Sequence, residues 1–258
     1  MITEYYRPEK IEQVLDLINR EDPHTMILGG GLYINEVIQE PIAVVDVQDL
    51  GLDEIAKKGK TLHIGAAATL QSLLTSGLIP QSLESAILHQ ETYNRRQIAT
   101  VAGTIMAASG RSSVVGVLLA LDAELELLGA GKKKDVVKLG DFLPLREEKL
   151  SGKLITSIHL PLEISASYQY VARSPADLPI VAAAAAIWPS GRVRVVLLGY
   201  GDQPVMVFDG PGQEGAEIAA RDAYSEAADQ WAGADYRADI AEVLVKRCLS
   251  HMAEDKEG

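Results

Sequence analysis

The sequence predicts an α+β fold on two observations. The first fifty residues run β-α-β-loop-α-β, the order of a small parallel or mixed sheet. From about Gly212 to Met252 the apolar spacing turns helical, with a break near Ala232-Gly233, after a long series of strand-like segments.

Taken in order, EYYRP reads as a strand ended by Pro8. Ile11, Val14, Leu15 and Ile18 of PEKIEQVLDLINR share one helical face, with Pro8 near its start. TMIL is a strand running into Gly29-Gly30-Gly31; LYINEVIQ (32–39) has room for one or two helical turns, and AVVDV is a strand. DEIAKKGKTLHIG reads as a hairpin turning at Lys58-Gly59-Lys60. Thr69 caps LQSLLTSG, and PQSLESAILHQE is a second helix. RRQIATVAGTIMAASGRSS (95–113) reads as a long loop of small residues, followed by a buried helix, VVGVLLALD. AELELLG, DVVKL and LITSIHLP are strands, as are YQYVARS and LPIVAAAAAIW, whose alanines are bounded by turn residues. RVRVVLLGYG and PVMVFDG continue the series, and AEDKEG is a frayed tail.

Composition narrows the function. Hydrophobic residues make up 47% of the chain and aromatics only 5%, so the core rests on Ala, Val, Ile and Leu. A formal net charge of −12 repels phosphate backbones and anionic lipid, which disfavours nucleic-acid and membrane partners. The sole cysteine, Cys248, excludes a disulfide framework and an iron–sulfur cluster held by this chain's own thiolates; its helical setting reads as a packed, inert thiol. No apolar leader follows the N-terminus, and the longest apolar run (180–188) is too short for a bilayer. The expected compartment is the cytoplasm.

Catalytic patterns are lacking. His24, His63, His89, His159 and His251 show no metal-ligand spacing, and there is no G-x-S-x-G elbow. Gly131-Lys132 and Gly152-Lys153 fail the phosphate-loop pattern, since Glu126 and Glu147 stand where its first glycine belongs. Gly199-Tyr200-Gly201 starts like a dinucleotide fingerprint but meets Pro204 at the third glycine position.

Two small-residue segments remain. Leu28-Gly29-Gly30-Gly31-Leu32-Tyr33 follows a strand, and its glycines allow positive φ and close approach of main-chain N–H groups to an anion. Ala99-Thr100-Val101-Ala102-Gly103-Thr104 is nearly free of bulk, with hydroxyls at Thr100, Thr104, Ser109, Ser112 and Ser113. Two such loops can clamp a diphosphate without a cationic side chain; the alternatives are a plain tight connection for the first, the commoner role of a glycine-rich turn, and close backbone packing between subdomains for the second.

In order and spacing these segments resemble the FAD-binding medium subunit of the xanthine dehydrogenase and carbon monoxide dehydrogenase family of molybdenum hydroxylases. Residues 28–32 match that family's A-G-G-T/H-D/S loop, and residues 96–104 its I-R-N-x-A-T-I-G-G-N segment from the arginine onward. IGAAATLQSL, LLALDAELEL, RSPADLPIVAAAAA and the closing ADYRADIAEVLVKRCL resemble the family as well. The resemblance implies a two-lobed FAD-binding domain of the PCMH type over 1–175 (lobes about 1–52 and 53–175). A small antiparallel sheet with C-terminal helices follows over 176–258. It also implies FAD as cofactor, no catalytic acid or base, and two partners: a molybdopterin-binding large subunit and a [2Fe–2S] small subunit. The implied cofactor contacts are Leu28, Gly29, Gly30, Gly31, Leu32, Tyr33, Thr100, Val101, Ala102, Gly103, Thr104, Ser109, Ser113 and Tyr170.

The sequence departs from the family at several of these positions. Gly31-Leu32 replaces a more polar pair, Ala102-Gly103-Thr104 stands for G-G-N, Ser113 for an aspartate directed at ribose, and Tyr170 lies near a lysine position. Each departure removes about one hydrogen bond, about 0.5–1.5 kcal/mol net. Alongside an FAD-bearing electron-transfer subunit stands the alternative of a cofactor-free structural subunit of the same kind of complex.

Overall fold

The computed structural model describes residues 1–34 and 41–254. It begins β1 (Ile2–Tyr6), α1 (Ile11–Ile18), β2 (Thr25–Leu28), β3 (Ile42–Asp46), β4 (Ile55–Lys58) and β5 (Thr61–Gly65). Helices α2 (Leu70–Thr75), α3 (Gln81–Gln90), α4 (Tyr93–Arg96), α5 (Val101–Met106) and α6 (Ser113–Ala120) follow. After β6 (Glu124–Leu128) and β7 (Lys134–Lys138) come the short helices α7 (Leu139–Phe142) and α8 (Arg146–Leu150). Strands β8 (Leu154–Pro161), β9 (Ser165–Val171), β10 (Val181–Ile187), β11 (Val193–Leu198) and β12 (Val205–Gly210) lead to α9 (Ala216–Ala223) and α10 (Ala234–Glu254). The class is the expected mixture of helices and sheets. Of the helical turns expected over 32–39, residues 35–39 lie outside the described residues.

Two compact units interleave along the chain. The first comprises 1–78, 93–107 and 124–160; the second comprises 79–92, 108–123 and 161–258.

In the first unit, β1, β3 and β2 form a parallel sheet with β3 central, every residue of which is buried. Helix α1 covers it with Val14 and Leu15, which pack with Val45, Val47 and Leu154. A second sheet runs β4-β5-β8-β6-β7, and Gly59 (φ 63°) makes the tight turn of its β4–β5 hairpin. Thr69 caps α2 through its hydroxyl, which accepts the Ser72 N–H. One expectation is corrected: the 95–113 stretch is not a long loop, because the end of α4 and the whole of α5 lie within it.

The second unit is built on the antiparallel sheet β12-β11-β10-β9. Strand β10, VAAAAAI, is buried on both faces apart from its last residue. Ala183 and Ala185 face Leu244, Val245 and Cys248 of α10, while α6 packs on β10 and β11 from the other side. Gly116 of α6 comes so close that a Cβ would lie 2.2 Å from the Leu198 side chain. Alanine is therefore a packing requirement here: helices on both faces leave room for a methyl group and little more. The helical end is interrupted over 224–233, a longer break than the spacing predicts.

Cys248 is fully buried; burial pushes its thiol up to about 12, and it points at the Ala183 carbonyl. A thiol reagent near pH 8 is expected to leave the folded protein unlabelled and to label one thiol per chain in denaturant. Labelling of the native protein would contradict this packing.

Candidate functional site

The parallel pairing of β2 with β3 delivers the glycine turn. Val47 N–H donates to the Leu28 carbonyl at 3.1 Å, and beyond Leu28 the chain leaves the sheet through Gly29–Tyr33. Gly31 has φ +77°, a left-handed value that favours glycine. Gly30 lies on the backbone of the second small-residue segment: a Cβ there would fall 1.6 Å from the Ile98 carbonyl oxygen. A Cβ on Gly29 would fall 2.6 Å from the Thr100 hydroxyl. The two segments thus touch directly, and these glycines are required first by that contact. Gln48 Nε2 reaches the Gly29 carbonyl at 3.4 Å. Among the described residues, no acceptor takes the N–H of Gly29, Gly30, Gly31 or Leu32, so the turn keeps a run of unspent main-chain donors.

The second segment behaves differently. Thr100 is the N-cap of α5, its hydroxyl accepting the Gly103 N–H at 3.1 Å. Val101 N–H donates to Ala68 O (2.9 Å), Ala102 N–H to Ala66 O (3.1 Å) and Thr104 N–H to Thr100 O (2.9 Å). The Thr104 hydroxyl, 1% exposed, also donates to Thr100 O. All four amides of 101–104 and both threonine hydroxyls are therefore engaged within the chain, which corrects the picture of a donor-rich loop. Gly103 serves the cap, since a Cβ would lie 2.8 Å from the Thr100 hydroxyl. The family departures at Ala102 and Thr104 fall on groups that are already occupied.

Ser109, Ser113 and Tyr170 belong to the second unit. Ser109 is exposed, and its N–H donates to Ser112 Oγ at 2.9 Å. Ser113 is 0% exposed, and its Oγ accepts from the Tyr168 hydroxyl at 2.7 Å. Both hydroxyls face His89 Nδ1, at 2.9 Å for Tyr168 and 3.4 Å for Ser113. His89 Nε2 lies 3.0 Å from the Asp177 carbonyl, which can only accept, so Nε2 carries the proton and Nδ1 accepts. The imidazole stacks on Tyr170 with ring centroids 3.6 Å apart, and Tyr170 is 39% exposed. The spacing of Ser82, Ala86 and His89 marks the buried face of α3, but nothing local in the sequence names partners 24 and 79 residues away.

Burial lowers the His89 pKa below its ordinary value of 6.5, partly offset by the Asp177 carbonyl. The folded protein prefers the neutral ring. Its stabilising contribution is present above 6.5 and is lost as pH falls through the lowered folded value. Between about pH 8 and about pH 5, wild type is expected to lose more unfolding free energy than His89→Gln, measured by urea denaturation. Equal losses would remove His89 from the acid response.

Among the described residues there is no group of three or more His, Cys, Asp or Glu able to hold a metal, and no helix long and apolar enough to cross a membrane. Among the described residues, the first unit offers at 29–32 a run of main-chain amides without an acceptor. Unpaired main-chain amides of this kind suit an anionic group such as a cofactor's diphosphate.

Comparison with known proteins agrees with this reading. The family model described as "FAD binding domain in molybdopterin dehydrogenase" matches residues 1–163. The "Uncharacterized protein YgfM" of Escherichia coli (strain K12) is 31% identical over 212 residues, 81% of this chain and 79% of that protein. The "6-hydroxypseudooxynicotine dehydrogenase complex subunit alpha" of Paenarthrobacter nicotinovorans is 26% identical over 96% of this chain and 93% of its own length. A chain of the reconstituted CO dehydrogenase from Oligotropha carboxidovorans shares the fold with a TM-score of 0.81 at 22% identity, covering 96% of each chain.

Proposed function

Because this chain belongs to the family of FAD-binding domains in molybdopterin dehydrogenases, we propose that it is the electron-transfer subunit of a molybdopterin-dependent hydroxylase or dehydrogenase complex. In this reading it takes electrons from the [2Fe–2S] clusters of a small partner subunit and delivers them, through FAD, to an external acceptor. A large molybdopterin-binding subunit oxidises the substrate. The naming of the Paenarthrobacter relative as one subunit of a dehydrogenase complex supports the multi-subunit reading.

The observation that carries the proposal is the turn at 29–32, where four consecutive amides have no acceptor among the described residues. They hold the diphosphate, and the turn keeps its shape because Gly29 and Gly30 rest on Ile98 and Thr100. Val101 to Thr104 contribute by supporting that contact from the start of α5. FAD, once bound, supplies the ability to accept electrons singly and release them in pairs. The residues of this chain bind and orient it and leave substrate chemistry to the partner.

The test is anaerobic. The FAD-loaded chain alone, mixed with substrates of its complex, is expected to keep its flavin oxidised; adding the two partner subunits is expected to bleach it. Bleaching by substrate without partners would mean that the chain is an oxidase in its own right.

A further inference from the structure

We propose that Arg95, seated on the ring of Tyr33, is the cation that meets the cofactor's diphosphate, and that it is a binding residue outside the two glycine-bearing segments. The inference rests on the reading of the 29–32 turn as the diphosphate site. Arg95 reaches this turn from two directions. Its carbonyl accepts the N–H groups of Ile98 (3.1 Å) and Ala99 (2.9 Å), which fixes the stretch whose Ile98 carbonyl lies against Gly30. Its guanidinium stands 6.0 Å from the centroid of Tyr33, the last residue of the same turn. The neighbouring Arg96 is directed elsewhere, with Nε on Gln71 Oε1 at 3.1 Å and its guanidinium over Tyr93.

Charge gives a cation at this turn something to do. The chain carries a formal −12, and the buried carboxylate of Asp46 ends the strand beside the turn, bound by the Tyr5 hydroxyl (2.5 Å) and the Gln48 N–H (2.9 Å). Gln48 also reaches the Gly29 carbonyl. Main-chain amides offer only partial charges to a dianion, whereas a guanidinium is permanently charged and forms strong hydrogen bonds to phosphate oxygens.

The experiment is calorimetric titration of the full chain, dialysed free of flavin, with FAD, with ADP and with riboflavin, which lacks the diphosphate. Wild type is compared with Arg95→Gln, Arg95→Lys and Tyr33→Leu, with melting temperatures as the check on folding. Arg95→Gln is expected to weaken FAD and ADP alike by about ten-fold or more and to leave riboflavin unchanged. Lysine is expected to recover part of the loss, and Tyr33→Leu to fall between. Unchanged FAD and ADP affinities in Arg95→Gln overturn the role of Arg95 while leaving the turn in place; so does an equal loss for riboflavin. Failure of wild type to bind either FAD or ADP overturns the diphosphate reading and this inference with it.

Discussion

Gly30→Val is expected to cost about 3 kcal/mol or more of stability and, as a consequence, to lose bound FAD. A Cβ at position 30 would sit 1.6 Å from the Ile98 carbonyl oxygen and 2.7 Å from its carbon, both main-chain atoms that cannot rotate away. Relief requires parting the 29–31 turn from the 98–100 segment, which is held to the 66–70 stretch by Leu70 N–H to Ala99 O (2.8 Å) and Val101 N–H to Ala68 O (2.9 Å). Gly31→Ala supplies the contrast. There only the left-handed φ of +77° is at stake, with a single side-chain neighbour at 3.5 Å, and the expected cost is about 1–2 kcal/mol. Urea denaturation followed in parallel with flavin content measures both. A Gly30→Val protein as stable as wild type would contradict the close contact of the two segments.

Arg237→Leu is expected to destabilise the second unit by about 3–5 kcal/mol. Arg237 is 0% exposed; Nη1 donates to the carbonyls of Ile180 and Gly199, and Nη2 to Asp229 Oδ1 at 2.7 Å. Asp229 in turn accepts the N–H groups of Trp231 and Ala232 at 2.8 and 3.1 Å, so one guanidinium ties the 224–233 break to the strands β10 and β11. Removing it leaves two buried carbonyls without their donor and a carboxylate without its cation. Arg237→Lys keeps the charge but cannot span both carbonyls and the carboxylate, so most of the loss should remain. Equal unfolding midpoints for wild type and Arg237→Leu would show that the break is held by other contacts.

Much of this architecture is legible in sequence because it follows local rules. The Thr69 cap, the Gly59 hairpin and the apolar face of α1 each depend on residues a few positions apart. Strand β10 is readable from its bounding turn residues, although the reason for its alanines, helices on both faces, is a tertiary fact. Helix α5 was hidden by its brevity and by Gly103 in its interior, a residue that disfavours helix; the Thr100 hydroxyl, capping through the Gly103 amide, tips the balance. Of the candidate site, the glycine turn and its neighbour are visible as small-residue segments. Which of the two keeps its amides unspent is decided by Ala66 and Ala68, more than thirty residues away, and no spacing rule reports that. The cluster of His89, Ser113 and Tyr168 escapes for the same reason.

The account stands on a diphosphate held by the main chain of residues 29–32. Its most direct measurement is the absorption spectrum and FAD content of the purified chain, before and after incubation with added FAD. The expected result is a yellow protein holding close to one FAD per chain, with Gly30→Val colourless. A wild-type chain that is colourless and takes up no added FAD would contradict the account and favour a subunit that keeps the fold without the cofactor.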